Sequence, residues 1–430
     1  MYRLENVLRP YPWGSTTAIA ALQGRAPSGG PEAELWIGAH PGSPSLAVRS
    51  DGSRDPLDAL ISADPEGTLG PGARELFGDR LPFLAKILAA GSPLSLQVHP
   101  TMEQARAGFA AENAAGVASD APQRNYRDDN HKPEMILALT PFEALCGFRP
   151  AAESRRIFTL LRDSFGASGS PVPALLDGVI ADLAAAEAEK GPLEAKSAVV
   201  ETEEAALRAA FSRLITGGED AAAAVRAVVG LLESGAAPAG YAAELGTAAA
   251  LAADYPGDPG VLISLLLNRA SLLPGEALYL PAGNVHAYLS GLGVEVMASS
   301  DNVLRGGLTG KHVDVPELLA TVDFRPLPLP LLEAARTELG QEIWAPPFRE
   351  FQLQRVRLAP GGSPVPLAQN GPLVLIAVAG SATLDTPRDD AALHRGDSVF
   401  VPAAESPAML HPANGATDDA VVFAVTVSGA

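Results

Sequence analysis

A short pattern of residues occurs twice in the chain and limits the folds that it can adopt. The first copy, residues 275–282, reads GEALYLPA, and the second copy, residues 396–403, reads GDSVFVPA. Both pass from a glycine and an acidic residue through a small and three larger apolar residues to Pro-Ala. Such a repeat indicates two copies of one β-domain. Short strands with frequent turn signals favour a barrel or a sandwich for each copy.

The two copies differ where polar residues follow the pattern. His286 in the first copy aligns with Pro407 in the second. We therefore expect a functional site in the first copy, and we expect residues 326–430 to form a degenerate, structural copy.

Residues 151–254 have a different composition, rich in Ala, Leu, Glu and Arg. Apolar residues recur there at intervals of three and four, as in Ile157, Leu160, Leu161 and Phe165, which predicts several helices that serve for packing. The expected fold is mainly β with a helical insertion. Residues 1–150 and 255–325 would form the first β-domain, which carries the expected functional site, 151–254 an inserted helical domain, and 326–430 the C-terminal domain.

The stretch from Leu94 to Glu134 carries the densest set of metal-ligating side chains. Apolar and polar residues alternate over residues 94–100, as in a half-buried strand, so Ser95, Gln97 and His99 share one face. A second piece places Lys132 and Glu134 on one face by the same rule, and residues 101–115 between the pieces predict a short helix capped by a threonine. An amide oxygen, an imidazole and a carboxylate suit a divalent metal such as zinc. Structural hydrogen bonding is the alternative.

Charge and cysteine content exclude several classes of protein. The net charge is −19 over 430 residues, and no long basic run is present, which argues against binding to nucleic acids or anionic membranes. The single cysteine, Cys146, excludes an internal disulfide and fits a reducing compartment. With no signal segment and no long apolar run, we expect a cytoplasmic protein.

An anionic substrate would require a local cluster of positive charge. The chain has 26 Arg but only five Lys. Lys86, Lys132 and Lys311 lie near the metal-ligand candidates or near a glycine-rich block, although chance also explains this placement. That block contains Asp301 and Arg305 before Lys311, and its glycines allow the backbone to approach a ligand closely. Glu295 lies on the strand before it.

Several segments together resemble type I mannose-6-phosphate isomerases. They are Gln97–Pro100, Asn130–Glu134, Pro281–Tyr288 and Ser300–Thr309, with Tyr11–Ser15 and Glu34–Gly38 as N-terminal blocks. The resemblance covers about the first 325 residues, in order. It implies a cupin-superfamily enzyme with one zinc ion per chain that interconverts mannose 6-phosphate and fructose 6-phosphate. The implied zinc ligands are Gln97, His99, Glu134 and His286, and the implied catalytic arginine is Arg305.

The other roles stay open at the level of sequence. Isomerisation through an enediol needs a proton carrier, for which Glu295 is the first candidate and Lys132 the second. The sugar phosphate needs cationic partners, for which Arg305, Lys311 and Lys86 compete. An ion pair between Arg305 and Asp301 is an alternative role for both residues. The remaining substrate candidates, which packing explains about as well, are Tyr288 and Ser95. We expect the histidines outside the ligand set to be structural or on the surface, namely His40, His131, His312, His394 and His411.

Two other functions compete with the isomerase. One is a different cupin metalloenzyme that uses iron or manganese, although a glutamine ligand fits the facial triad of iron oxygenases poorly. The other is a sugar-phosphate-binding protein without catalysis, which would be expected to have lost metal ligands. The expected partner is a phosphorylated hexose, and we expect a monomer.

Overall fold

The computed structural model describes residues 1–188, 196–235 and 238–429. The strands before the helical segment are β1 (Tyr2–Glu5), β2 (Val7–Arg9), β3 (Glu34–Gly38), β4 (Leu46–Val48), β5 (Arg54–Pro56), β6 (Phe83–Ala90), β7 (Gln97–Val98), β8 (Glu134–Ala138) and β9 (Phe142–Phe148). The strands that follow it, up to residue 305, are β10 (Leu267–Leu272), β11 (Ala277–Leu280), β12 (His286–Ala298) and β13 (Leu304–Arg305).

The C-terminal part adds β14 (Leu331–Leu332), β15 (Ala335–Arg336), β16 (Gln341–Trp344), β17 (Gln352–Leu358), β18 (Val365–Pro366), β19 (Leu373–Ala379), β20 (Ser381–Asp385), β21 (Asp390–His394), β22 (Ser398–Val401), β23 (Met409–Pro412) and β24 (Ala420–Thr426). The helices are α1 (Ala18–Gln23), α2 (Leu57–Ala63), α3 (Pro65–Phe77), α4 (Met102–Ala114), α5 (Ala151–Ser168), α6 (Ala174–Ala188), α7 (Lys196–Ile215), α8 (Gly218–Glu233), α9 (Ala242–Asp254), α10 (Gly260–Ile263) and α11 (Val315–Thr321). Short 3₁₀ turns span Ser264–Leu266 and Ala403–Glu405.

Antiparallel pairing joins the named strands into two large sheets and one small one. The first large sheet has the order β15-β16-β17-β24-β19-β22-β1-β4-β5, and the small sheet has the order β18-β23-β20-β21. The second large sheet follows the path β14-β11-β8-β12-β6-β3-β2, with β7, β9, β10 and β13 attached beside β12. The prediction of a strand-rich protein with a helical segment is confirmed.

The first large sheet combines the two ends of the chain. Strand β1 pairs with β22, with Tyr2 opposite Phe400. One hydrophobic cluster accordingly contains Leu4 and Ile37 together with Phe400 and Phe423. The N-terminal strand thus completes a sheet whose other strands lie mostly after residue 340.

The strand that carries the ligand candidates shares a hydrophobic core with the helical segment. Leu96 and Val98, the apolar side of that strand, are fully buried in one cluster with Phe158 of α5 and Phe211 of α7. The alternation at the centre of this stretch therefore has a physical reason, because Leu96 and Val98 lie in a core shared with the helices, while Gln97 between them is only partly buried. Parts of the predicted helical segment, residues 189–195 and 236–237, lie outside the described residues.

Two local predictions need correction. Regular strand structure within residues 94–100 is limited to β7, because the flanking backbone bonds to irregular partners, as when the Leu96 N–H donates to the Gly307 carbonyl at 3.0 Å. The segment 255–325, predicted to belong to a β-domain, begins with α10 and a 3₁₀ turn, because their apolar side chains lie in the core shared with the helical segment. The helix predicted at residues 101–115 is confirmed as α4.

Candidate metal centre and active site

Three of the four predicted metal ligands meet in the second large sheet. Glu134 begins β8, His286 begins β12, and His99 follows β7. Their ligand atoms all lie within 4.8 Å of one another, and all three residues are buried. Within the described part of the chain, this is the one group of three or more His, Cys, Asp or Glu residues that is arranged in this way.

The two imidazole rings are oriented by backbone carbonyl groups. His99 Nδ1 lies 2.8 Å from the Asn302 carbonyl oxygen, and His286 Nδ1 lies 3.0 Å from that of Asn284. Because a carbonyl oxygen only accepts, each Nδ1 carries the proton and donates it. Each Nε2 is then left with a free lone pair, the form in which neutral histidine binds a metal.

Both lone pairs face the same carboxylate. His99 Nε2 lies 3.2 Å from one oxygen of Glu134, and His286 Nε2 lies 3.5 Å from the other. His99 Nε2 is buried without a hydrogen-bond partner. Burial also lowers the pKa of His99 to about 4, so the ring is neutral near pH 7. Lone pairs that face a carboxylate repel it, and this residue set is therefore complementary to a cation.

The fourth predicted ligand, Gln97, is the direct neighbour of this group in the sheet. It lies opposite His286 on one side and opposite Arg305 on the other. Opposite residues of antiparallel strands have their side chains on the same face, so the Gln97 amide shares a face with His286. Gln97 is only partly buried, as a residue at the rim of a site would be.

Lys132 contacts the carboxylate at the centre of the group. Its Nζ lies 3.2 Å from Glu134 Oε1. Burial by itself would raise the pKa of Glu134, but the Lys132 ammonium outweighs burial and holds that pKa well below its usual range. The central ligand is therefore ionised at neutral pH.

Lys86 and Glu295 form a buried ion pair on neighbouring strands. They are opposite each other in the β6–β12 register, and Lys86 Nζ lies 2.9 Å from Glu295 Oε2. Burial raises the pKa of Glu295 above its usual value, with a smaller opposite effect of Lys86. Burial by itself would lower the pKa of Lys86, but the neighbouring carboxylates raise it. Sequence reasoning treated Lys86 as a possible phosphate ligand, but its ammonium group is directed at these carboxylates.

Tyr288 lies one strand repeat from His286 on the same face. Its hydroxyl oxygen is buried and has no hydrogen-bond partner within bonding distance among the described residues. Burial and the nearby charges of Glu295 and Glu134 raise the pKa of the phenol well above its usual value. The tyrosine therefore offers a neutral O–H group inside the site. Ser95 is half-buried on the ligand side of its segment.

Arg305 and Lys311 belong to a group of cations without carboxylate partners. Burial and the neighbouring Arg127 lower the pKa of Arg305, and burial, Arg305 and Arg127 lower that of Lys311. No ion pair of these three residues occurs within the described ranges, in a protein whose net charge is −19. The structure thus places three mutually repelling cations together. Such a group is complementary to a dianion.

Asp301 pairs with a histidine rather than with Arg305. His40 Nε2 lies 3.5 Å from Asp301 Oδ1, and His40 Nδ1 accepts the Gly42 N–H at 3.2 Å. Both residues line a cavity of about 430 Å³ with Arg127. The fold thus brings His40 and Asp301 together although they are far apart in sequence. His131 likewise contacts Glu350, at 2.5 Å.

Sequence reasoning missed three residues at this site, namely Glu34, His40 and Arg127. Glu34 precedes Trp36 by one strand repeat, and Arg127 lies three residues before the motif that contains Lys132. The sequence shows these spacings, but whether the side chains reach the site depends on strand register and loop geometry.

The described helices include none that is long and apolar enough to span a membrane.

Residues 1–151 match the family model of the type I phosphomannose isomerase catalytic domain. A mannose-6-phosphate isomerase of Escherichia coli strain K12 is 38% identical over 410 residues, covering 95% of this chain and 96% of that protein. The enzyme of that name from Bos taurus is 34% identical over 428 residues, covering 94% of each.

Solved structures agree with these sequence relatives. A crystal structure of a mutant phosphomannose isomerase from Salmonella typhimurium matches with a TM-score of 0.84 and 35% identity over 100% of both chains. A zinc-bound crystal structure of mannose 6-phosphate isomerase matches with a TM-score of 0.81 and 34% identity over 98% of both chains. With this identity over nearly its full length, the chain belongs to the mannose-6-phosphate isomerase family.

Proposed function

We propose that this chain is a zinc-dependent isomerase that interconverts mannose 6-phosphate and fructose 6-phosphate through an enediol intermediate. The observation that carries the proposal is the convergence of two imidazole Nε2 atoms on the Glu134 carboxylate. The buried, unpartnered Nε2 of His99 supports the fit to a metal ion. In this proposal, His99, Glu134, His286 and Gln97 hold the zinc ion.

When bound, zinc would supply Lewis-acid stabilisation of negative charge on the sugar oxygens. The ligand chemistry is consistent with zinc, which takes nitrogen and oxygen donors. Lys132 lies beside Glu134 and would add a fixed positive charge next to the reacting carbons.

The phosphate of the substrate would bind to the cation group of Arg305, Lys311 and Arg127. Sequence reasoning left open whether Arg305 stabilises the reacting centre or binds the phosphate. Its place beside Gln97 in the β7–β13 pair puts it next to the metal ligands, and its influence on the Lys311 pKa puts it near Lys311. We propose that Arg305 bridges the two regions and that Lys311 and Arg127 bind the phosphate.

Glu295 would carry the proton between C2 and C1 of the open-chain sugar. It is buried, its pKa is raised, and it shares one wall of the site with Tyr288. Lys132 is the second candidate, since its ammonium lies 3.2 Å from the carboxylate of Glu134. Lys86 would act through Glu295, while Tyr288, Ser95 and Asp301 would contact the sugar hydroxyls.

We also propose that the strands form two cupin-type domains with the boundaries predicted from the sequence. The first would combine residues 1–150 and 255–325, with residues 151–254 as an inserted helical domain. The second would comprise residues 326–430. The repeated pattern supports this division, since its two copies form the equivalent strands β11 and β22.

Turnover of mannose 6-phosphate before and after chelation tests the proposed function. We expect the purified protein to produce fructose 6-phosphate, to lose this activity with its metal and to regain it with zinc. H286A should bind less than one zinc ion per chain, whereas H411A, in the C-terminal part, should bind the full amount. No turnover by the zinc-loaded protein would contradict the isomerase, and full activity without metal would contradict the role of zinc.

A further inference from the structure

Glu34 is a buried carboxylate beside the site, and the proposed function gives this residue no role. It is 7% exposed. Its Oε1 lies 3.6 Å from Lys86 Nζ, and its Oε2 accepts the indole N–H of Trp36 at 2.6 Å. Glu34 therefore holds the lysine with one oxygen and is itself held by the other.

Strand register places these residues together. Trp36 on β3 is opposite Lys86 on β6, and Lys86 is opposite Glu295 on β12. Glu34 precedes Trp36 by one strand repeat, so it reaches Lys86 diagonally on the same face. The Trp36 ring covers the ammonium group, with 5.4 Å from Nζ to the ring centroid. Lys86 is thus enclosed by one aromatic ring and two carboxylates.

The charges in this enclosure are unequal. Among the described residues, Lys86 is the only ion-pair partner of Glu295 and also the only one of Glu34. An ammonium buried without a counter-ion is strongly unfavourable. If Glu295 were the only counter-ion, each uptake of a proton by Glu295 would leave Lys86 buried and unpaired.

We propose that Glu34 is a positioning residue, the counter-ion that keeps Lys86 paired while Glu295 holds the substrate proton. This inference rests on the proposed function, with Glu295 as the proton carrier. Glu34 touches neither substrate nor metal in this scheme and acts through Lys86.

The proton transfer balances within the substrate and Glu295. The C2–H bond of the open-chain aldose breaks, its proton passes to Glu295, and its electron pair becomes the C1–C2 double bond as the carbonyl electrons move onto O1. Return of the proton to C1, with transfer of the O2 hydroxyl proton to O1, yields the ketose. Glu295 is ionised before and after the cycle and neutral between the two steps. During that interval Glu34 is the remaining anion beside Lys86.

The charge of Glu34 also affects the pH dependence of activity. The charged and titratable groups that face Glu295 are Lys86 on β6, Glu34 on β3, Glu134 on β8 and Tyr288 on its own strand. Because Glu34 raises the pKa of Glu295, its neutralisation should lower that pKa and strengthen the pair with Lys86. Glu295 would then stay ionised to lower pH but would be a weaker base.

The E34Q variant of the zinc-loaded full chain tests this proposal. Glutamine keeps the size of the side chain and an oxygen for the Trp36 N–H, and it removes the charge. We expect kcat to fall by about 10-fold or more, part of the usual contribution of a general base. KM and zinc content should stay at the wild-type values, and the acidic limb of the kcat profile should move to lower pH.

Two further variants separate the role in catalysis from a structural role. E34D keeps the charge and should recover much of the lost kcat and the wild-type acidic limb. E32Q is the matched control, because Glu32 is also a buried carboxylate of this segment but pairs with Arg25. It should lower thermal stability without moving the pH profile.

A double-mutant cycle shows whether Glu34 acts through Lys86. In a K86M background, E34Q should cause a much smaller further loss of kcat than in the wild type, since no buried ammonium remains to be paired and only the direct effect of Glu34 on the Glu295 pKa is left. If E34Q fails to fold, the W36F variant tests the same group of contacts, because it removes the indole N–H that Glu34 accepts. We expect kcat of W36F to fall with KM unchanged. An unchanged kcat would overturn the proposal.

The failure of this proposal differs from the failure of the proposed function. An active wild-type protein and an E34Q variant with the same kcat and pH profile would overturn the role of Glu34 and leave the isomerase intact. If E34Q lowered kcat by the same factor in the wild-type and K86M backgrounds, the role of Glu34 would also be overturned. An inactive zinc-loaded wild type would instead overturn the proposed function.

Discussion

At the residue scale, the chemical role of each polar group in the site depends more on its neighbours than on its residue type. Two buried glutamates show the contrast. Glu134 is held ionised by Lys132, whereas burial raises the pKa of Glu295. One carboxylate is thereby suited to bind a cation and the other to exchange a proton. This is the pattern by which one site separates acid–base roles.

Substitution of Lys311 tests the cation group. In K311M we expect kcat/KM for mannose 6-phosphate to fall roughly 10-fold, mainly through KM, because a charged hydrogen bond to the phosphate is lost. Inhibition by inorganic phosphate should weaken in parallel. R226M is the control, since Arg226 is exposed on α8 and pairs with Glu219. Wild-type values of kcat/KM in K311M would contradict the assignment.

Glu32 gives a prediction for stability against pH. The carboxylate accepts two N–H groups of Arg25, at 2.9 and 2.6 Å, and these bonds lower its pKa from 4.5 to about 2. A lowered pKa in the folded state adds stability above the unfolded value, and this stability is lost as the pH falls toward the folded value. The difference in melting temperature between wild type and E32Q should therefore be largest above about pH 4.5 and shrink toward pH 2. A difference that stays constant in calorimetry over this range would contradict the prediction.

At the element scale, short strands and irregular loops are held in place by the helices behind them. Strand β7 spans two residues, yet it carries Gln97 and leads into His99. Its apolar side chains belong to the same hydrophobic cluster as residues of α5 and α7, so the strand with the ligand candidates shares a core with the helical segment. The expectation that these helices serve for packing agrees with this arrangement.

Helix α4, which follows the ligand segment, offers a test at this scale. Thr101 caps the helix by accepting the Gln104 N–H at 3.2 Å, and the Gln104 side chain returns a bond to the Thr101 N–H at 2.9 Å. T101A should lower the free energy of unfolding by about 1 kcal/mol. T101S, which keeps the hydroxyl, should remain close to wild type in the same denaturant titration. Equal stability of T101A and T101S would show that the cap contributes nothing.

At the scale of the whole molecule, the two ends of the chain share a sheet and a core. Strand β1 lies between β22 and β4, and the Met1 ammonium group contacts Glu405 at 2.6 Å. The C-terminal copy of the repeat therefore completes the core of the N-terminal part, although it has no counterpart to His286.

A chain truncated after residue 326 tests this dependence. It would keep all four ligand candidates but expose Leu4, Ile37 and their neighbours, which pack against Phe400 and Phe423 in the full chain. We expect the truncated protein to be insoluble or to lack a cooperative thermal transition. It should show no turnover in an assay in which the full-length protein is active. A soluble truncated protein with wild-type zinc content and turnover would contradict this expectation.

The sequence alone was sufficient for the local features and for the family. Strand alternation depends on side chains two residues apart, so it predicted which residues of 94–100 share a face, and the spacing of apolar residues predicted the helical segment. The order of the motifs identified the family, which the relatives confirm over nearly the whole chain.

Only the tertiary structure decided the contacts between residues distant in sequence. Glu34, Lys86 and Glu295 meet through the registers of β3, β6 and β12, and Asp301 meets His40 instead of Arg305. The pairing of β1 with β22 likewise joins residues about 400 positions apart. Local patterns contain no information on such registers, because they are set by the packing of the whole core. The sequence therefore determined which chemical groups are available, and the tertiary structure determined which of them face one another.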